Sequence, residues 1–301
     1  MQIWPKKIAR FQLVVAIIIG LIVLMMAIYA PNLPGWSAIF APILAALFYY
    51  SGMQKYIRRK RLIRAPVSEH WRSQLHDCVP FYRLLIDDDK RKFENNVRIF
   101  MAEQRIYGSR GMPVSETIKL YIAASAAMLC HGLDNWEWPD VRDIIVYPTA
   151  FNQEYYIDGK NPISGIVHQQ GPIIFSERDL KLGFCKSSNS GGIHVGLHEM
   201  AHVMDMANGH ADGIPSGLSW IASAPWIKIM ADRIRKVQQG KCSEILRSYA
   251  GVNEAEFFAV AVEVFFQKPY ELKKYDPELY KMLSNYFNLD TASNPPRICS
   301  K

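Results

Sequence analysis

His198 and His202 stand four residues apart with Glu199 beside the first, in H-V-G-L-H-E-M-A-H-V-M-D-M-A-N-G at 194–209. On a helix that spacing projects both imidazoles from one face, where they can share a metal ion. Glu199 is then placed to accept the proton of an activated water. This is H-E-x-x-H, the pattern of zinc-dependent hydrolases. A catalytic zinc takes three protein ligands and keeps one position open. The third ligand is sought in Y-A-G-V-N-E-A-E-F-F-A-V-A-V-E-V-F-F at 249–266, an apolar run containing Glu254, Glu256 and Glu263. A carboxylate among Ala255, Phe257 and Phe258 is costly to bury without a partner, and a metal removes that cost. Periodicity leaves Glu254 and Glu256 as equal candidates, each with a plain alternative as a solvated carboxylate at a helix N-terminus. Glu263, seven beyond Glu256 on the same face, is a candidate to hydrogen-bond to a ligand. Asp205, three beyond His202, is a candidate to orient that imidazole. His194, four before His198, reads better as a polar residue at the helix start.

The elements around these residues read as α+β. Gly209 ends the histidine helix, and Asn253 is a good N-cap for the glutamate helix. Residues 89–103 show helical spacing of Phe93, Val97, Phe100 and Met101. Residues 116–130 are a stronger helix, capped by Ser115, with Ile118, Tyr121, Ile122, Ala126 and Leu129 along one face and Gly132 just past its end. Short strands are expected at Asp143 to Tyr147 and Pro172 to Phe175, with mostly loop between them. The strand from Gly171 to Ser176 is expected as an edge to which an extended peptide can add.

The first part of the chain is different. Residues 11–29 are uncharged, with Gln12 their only strongly polar side chain. As a helix, nineteen residues span about 28 Å, close to the roughly 30 Å of a hydrocarbon core. A loop with Pro31, Asn32, Pro34 and Gly35 leads to a second, weaker uncharged stretch at 36–53, interrupted by Pro42. A signal peptide has a shorter apolar centre and no second run. The reading is a transmembrane hairpin at 11–53. It is preceded by a cytoplasmic N-terminus (1–10) and followed by a basic juxtamembrane linker (54–74), the catalytic domain (75–290) and a C-terminal tail (291–301). The chain has 35 basic and 28 acidic residues, a net charge of +7. Nine of the basic residues and none of the acidic ones fall in 1–64, leaving 26 basic against 28 acidic in 65–301. The basic excess therefore marks topology, with both flanks in the cytoplasm, and direct nucleic-acid binding is not expected. Five scattered cysteines (Cys78, Cys130, Cys185, Cys242, Cys299), none in a C-x-x-C pair, agree with free thiols in a reducing compartment.

Residues 198–215 joined to 253–269 resemble the Mlc titration factor A family of bacterial zinc peptidases. I-I-V-Y-P-T-A-F (144–151), G-P-I-I-F-S (171–176) and D-P-E-L-Y (276–280) extend the resemblance over most of 75–290. The family's core is similar to the catalytic domain of anthrax lethal factor, whose Y-x-x-x-N-E-A-E-F-F pattern is matched from Tyr249 to Phe258. The resemblance implies a zincin-like metalloprotease domain with a small sheet and active-site helices. It implies Zn²⁺ held by His198, His202 and Glu256, with Glu199 as general base and Tyr249 as a hydroxyl donor beside the reacting carbonyl. It implies a peptide or protein substrate and aminopeptidase-like action, while the hairpin and its basic flanks lead to the expectation of a place at the bacterial inner membrane with the site in the cytoplasm. It also suggests that His210 and Asp212 lie in a turn shaping the site. The membrane hairpin departs from the pattern of the soluble members. A second reading is a binding module that sequesters a transcription regulator at the membrane, its zinc being structural.

Overall fold

The computed structural model describes residues 1–29, 34–133, 136–138, 143–152, 163–168, 171–185, 193–217, 220–241 and 245–299. The hairpin-tip residues Pro31 and Asn32, and Cys242, lie outside these. The chain divides into two compact units, Gln2–Pro66 and Val67–Lys301, the latter joined by Met1.

The first unit holds two long helices, α1 (Lys6–Tyr29) and α2 (Phe40–Leu62). Ala16 and Ala41 are buried, and a Cβ on Gly20 would come within 3.3 Å of Ala45 Cβ. Small residues thus let the two backbones approach closely. Pro42 falls in the first turn of α2, where a missing amide costs no helical hydrogen bond. Nearly all large apolar side chains point outward, among them Phe11, Ile17, Ile22, Met26, Phe40 and Leu47. The basic run expected in the linker belongs to α2 itself, which continues through Lys55–Arg61. Lysine and arginine are good helix formers, and cations are favoured at a helix C-terminus.

The second unit is helix-rich around a small sheet. Its helices are α3 (Glu69–Cys78), α4 (Pro80–Leu84), α5 (Asp87–Glu103), α6 (Glu116–Cys130), α7 (Glu177–Cys185), α8 (Val195–Asp205), α9 (Trp220–Gln238), α10 (Glu254–Gln267), α11 (Pro269–Tyr275) and α12 (Pro277–Phe287). Strands β1 (Ile106–Gly108), β2 (Ile144–Tyr147), β3 (Gly165–Val167) and β4 (Ile173–Ser176) form one sheet in the order β1-β2-β4-β3. β1, β2 and β4 run parallel, and β3 is antiparallel to β4. The expected peptide-accepting edge is therefore misplaced. β4 is interior, and the edge is β3, three residues with a glycine that carried too little β-propensity to read as a strand. A further pair, β5 (Leu289–Asp290) with β6 (Arg297–Ile298), brings part of the expected tail into the folded unit.

α6 is the core helix. Ser115 Oγ accepts the Ile118 amide at 3.3 Å, as its N-cap position requires. Every residue from Leu120 to Cys130 is buried, not only the expected face, because α5, α7, α8 and α3 all pack on it. α8 in turn packs on α10, and also against β3 and β4. Two helices and a sheet edge thereby meet at one place.

Candidate active site

The ends of α8 explain its position. His194 is its N-cap: Nδ1 accepts the Leu197 amide at 3.1 Å. Burial pulls this imidazole down to about 4, so it is neutral and its lone pair is available. At the other end a turn of 3-10 helix at Met206–Asn208 stops at Gly209, whose φ of +91° suits glycine. His198 and His202 then project together, ring centroids 4.8 Å apart.

α10 faces them. Asn253 Oδ1 accepts the Glu256 amide at 2.9 Å, fixing the first turn. That turn directs Glu256 to the histidines, while Glu254 is exposed and takes no part. His198 Nε2, His202 Nε2 and Glu256 Oε2 converge, with separations of 3.1 Å (His198–Glu256), 3.2 Å (His198–His202) and 3.5 Å (His202–Glu256). Tetrahedral ligation at about 2.0–2.1 Å sets ligand–ligand separations of about 3.3–3.4 Å. The triangle has that size, and among the described residues it is the cluster able to hold a metal ion.

The donor chemistry agrees. Glu263 Oε1 accepts from His198 Nδ1 at 2.8 Å, which assigns the proton of the neutral ring to Nδ1. With Nδ1 on Glu263, His198 turns Nε2 toward the Glu256 carboxylate, a contact that a proton on Nε2 or a metal ion in its place satisfies. Burial opposes charge on His198, but hydrogen bonds to Glu256 and Glu263 outweigh it and hold the ring up to about 10. Burial likewise opposes ionisation of Glu256, and the two imidazoles override it, holding the carboxyl far below its usual range. The cluster demands positive charge.

Glu199 is buried between the histidines and β3. Burial raises its carboxyl, and the imidazoles of His198 and His202 work against that shift. A Cβ on Gly165 would lie 2.5 Å from Glu199 Oε1, so glycine in the edge strand is what admits this carboxylate. Tyr249, in the 3-10 turn Ser248–Gly251, is half-exposed, its ring centroid 6.0 Å from that of His198. Burial first, and then the charge of Glu256, raise its hydroxyl.

Glu263 ties these parts together. Besides His198, it accepts the His194 amide on Oε2 at 2.8 Å and pairs through Oε1 with Arg247. One buried carboxylate therefore orients a ligand, anchors the start of α8 and holds the segment leading to Tyr249. Arg247 escaped the sequence reading, since a lone arginine in a loop carries no periodic signal. Gly165 escaped it for the same reason as its strand.

Asp205 lies close enough for the His202 charge to act on its carboxyl, but no hydrogen bond joins the two among the described residues. Asp205 Oδ2 accepts the Gly213 amide at 3.0 Å, while Asp205 Oδ1 and His202 Nδ1 have no partner among the described residues. The carboxylate is turned to the loop after α8, where Gly213 has φ +69° and its carbonyl accepts from Trp226 Nε1 at 2.7 Å. His210 and Asp212 are exposed in this loop; Asp212 Oδ1 accepts the Ile214 amide at 3.0 Å.

A family model described as glucose-regulated metallo-peptidase M90 matches residues 53–288, a span containing every residue of this site. An uncharacterized protein of Synechocystis sp. is 27% identical over 250 residues, covering 79% of this chain and 90% of its own. Mlc titration factor A of Yersinia enterocolitica is 23% identical, covering 81% and 94%. Mlc titration factor A of Cronobacter sakazakii is 26% identical, covering 73% and 86%.

Proposed function

The chain belongs to the glucose-regulated metallo-peptidase M90 family, and from that premise we propose that it is a membrane-anchored zinc metallopeptidase hydrolysing peptide bonds. The observation that carries this reading is the triangle of His198, His202 and Glu256 donor atoms, sized for tetrahedral zinc. These three residues would hold the ion, which supplies Lewis acidity to a water and to the scissile carbonyl.

The protein's own groups do the rest. Glu199 accepts a proton from the attacking water and returns it to the leaving amine. Its seat against the β3 backbone puts it beside the strand to which an extended substrate would add through main-chain hydrogen bonds. The Tyr249 hydroxyl donates to the developing oxyanion, on the side of His198 that Glu263 and Arg247 hold fixed. The carry-over from anthrax lethal factor and the aminopeptidase-like preference belong to this reading too.

Residues 11–53 form the anchor, supported by two long helices with uncharged stretches at 11–29 and 36–53, whose apolar side chains face outward instead of into a core. The charge asymmetry of residues 1–64 supports a cytoplasmic site. The rival reading, sequestration of a transcription regulator around a structural zinc, draws on the relatives' printed name. Against it, a structural zinc uses four protein ligands, and the described residues offer three. Zinc-loaded chain should cleave a peptide library, and Glu199→Gln should keep its zinc and lose cleavage. Cleavage surviving that substitution would end the mechanism.

A further inference from the structure

We propose that the base of the helical hairpin is a collar that binds the headgroups of anionic phospholipids. The inference rests on the membrane reading above and concerns the first unit alone. Three side-chain approaches set the register of α1 against α2. Gly20 lies against Ala45, Gln12 against Gly52, and the Lys60 ammonium stands 5.4 Å from the Trp4 ring centroid. In each pair the residue numbers sum to 64 or 65, so the helices are antiparallel and the ends of the hairpin are in step. Lys6, Lys7 and Arg10 therefore lie level with residues 54–59, beside Lys55 and Arg58. Arg59 donates to the Gln2 carbonyl at 2.6 Å and stands over the Tyr56 ring, holding the N-terminal residues alongside the end of α2.

All nine basic residues of this unit are thus gathered at one end of the hairpin, and all except Arg59 are exposed. No residue before Glu69 is acidic, and Lys6, Lys7, Arg10, Lys60, Arg61 and Arg64 are among the exposed cations. The partial positive charge of the α1 N-terminus and the partial negative charge of the α2 C-terminus meet at this end and nearly cancel. Immediately beyond Arg10 the surface becomes apolar, with Phe11, Leu13, Val14, Leu47 and Tyr50 exposed. Tyr56 lies near this boundary, while Trp4 stands among the cations with the Lys60 ammonium beside its ring.

A band of cations adjoining an apolar belt fits a phosphodiester attached to acyl chains. A soluble phosphate would meet the charge and leave the apolar belt uncovered. Nucleic acid would do the same. Clusters of this size beside a spanning helix gain favourable energy from each Lys or Arg near an anionic surface, and the gain decays within a Debye length.

The test uses the full chain reconstituted in phosphatidylcholine vesicles with trace spin-labelled phosphatidylglycerol or phosphatidylcholine. The immobilised fraction should favour phosphatidylglycerol by roughly threefold or more at low salt. A variant with Lys6, Lys7, Lys55, Arg58, Lys60 and Arg61 all changed to Gln should bring the ratio close to one while the protein stays carbonate-resistant. Equal ratios for the unaltered, carbonate-resistant chain would overturn the proposal. Loss of the preference with inorganic phosphate, but not with chloride at matched ionic strength, would overturn it in favour of a soluble-anion site. Duplex nucleic acid displacing the lipid would likewise overturn it. Extraction of the unaltered chain by carbonate would instead defeat the membrane reading on which it stands.

Discussion

Replacing Glu263 by glutamine is the perturbation that separates a metal site from a cluster of buried polar groups. The native carboxylate accepts from three donors: His198 Nδ1 and the Arg247 guanidinium on Oε1, and the His194 amide on Oε2. A carboxamide has one acceptor oxygen, and its other terminus is a donor. With the oxygen toward His198 and Arg247, the new NH₂ confronts the His194 amide across a 2.8 Å contact. With the amide reversed, it confronts both other donors. Each orientation breaks the bond network, and each leaves the Nδ1–H of His198 with a weaker partner or none. Carboxylates behind a ligating histidine typically contribute 10–100-fold in metal affinity, about 1.4–2.7 kcal/mol. Zinc affinity of Glu263→Gln, read by competition with a chromophoric chelator, should fall by that factor, with circular dichroism unchanged. Arg247→Gln keeps the bond between His198 and Glu263 and should weaken zinc by less than about threefold. An affinity for Glu263→Gln within twofold of the unaltered chain would refute the reasoning.

Gly165→Ala should push the Glu199 carboxylate aside, since the added Cβ would fall 2.5 Å from Oε1. Hydrolysis should drop by about 10²-fold with stoichiometric zinc retained, as kinetics and metal analysis would show. Tyr249→Phe should lower kcat by about 10²-fold and leave KM nearly unchanged, the mark of a donor acting on the transition state. His131 supplies an acid limit to stability. Burial between Phe81 and Phe93 pulls its imidazole down to about 3, from an ordinary 6.5. As pH falls below 6.5 the unfolded chain takes up the proton first, so stability declines from there until about pH 3, by up to about 1.4 kcal/mol per pH unit. His131→Leu should flatten that slope in denaturant titrations between pH 6.5 and 4.5; an unchanged slope would exclude His131 as its source.

The parts of the site legible in the sequence are those written into a helical repeat. His198, Glu199 and His202 share a turn, and Asn253 marks where α10 begins, so their grouping follows from spacing. The choice of Glu256 over Glu254 did not follow from spacing. It depends on which way the first turn of α10 faces, a tertiary fact that the resemblance to known peptidases supplied in advance. Arg247 and Gly165 act from a loop and a three-residue strand, where local sequence carries neither period nor strong propensity. Asp205 shows the converse. Its spacing from His202 suggested a hydrogen bond, but one oxygen of its carboxylate accepts the Gly213 amide instead, brought close by a long-range turn. The order of the sheet was likewise hidden, because whether β4 is an edge depends on β3 folding back beside it.

The central claim is that three donor atoms brought together by α8 and α10 hold a catalytic zinc served by Glu199. The most direct measurement is zinc content and peptide hydrolysis on the same preparations of the full chain and of Glu199→Gln. The account predicts one zinc per chain in both, with hydrolysis only in the unaltered protein. Hydrolysis persisting in Glu199→Gln, or no zinc bound by the unaltered chain, would contradict it.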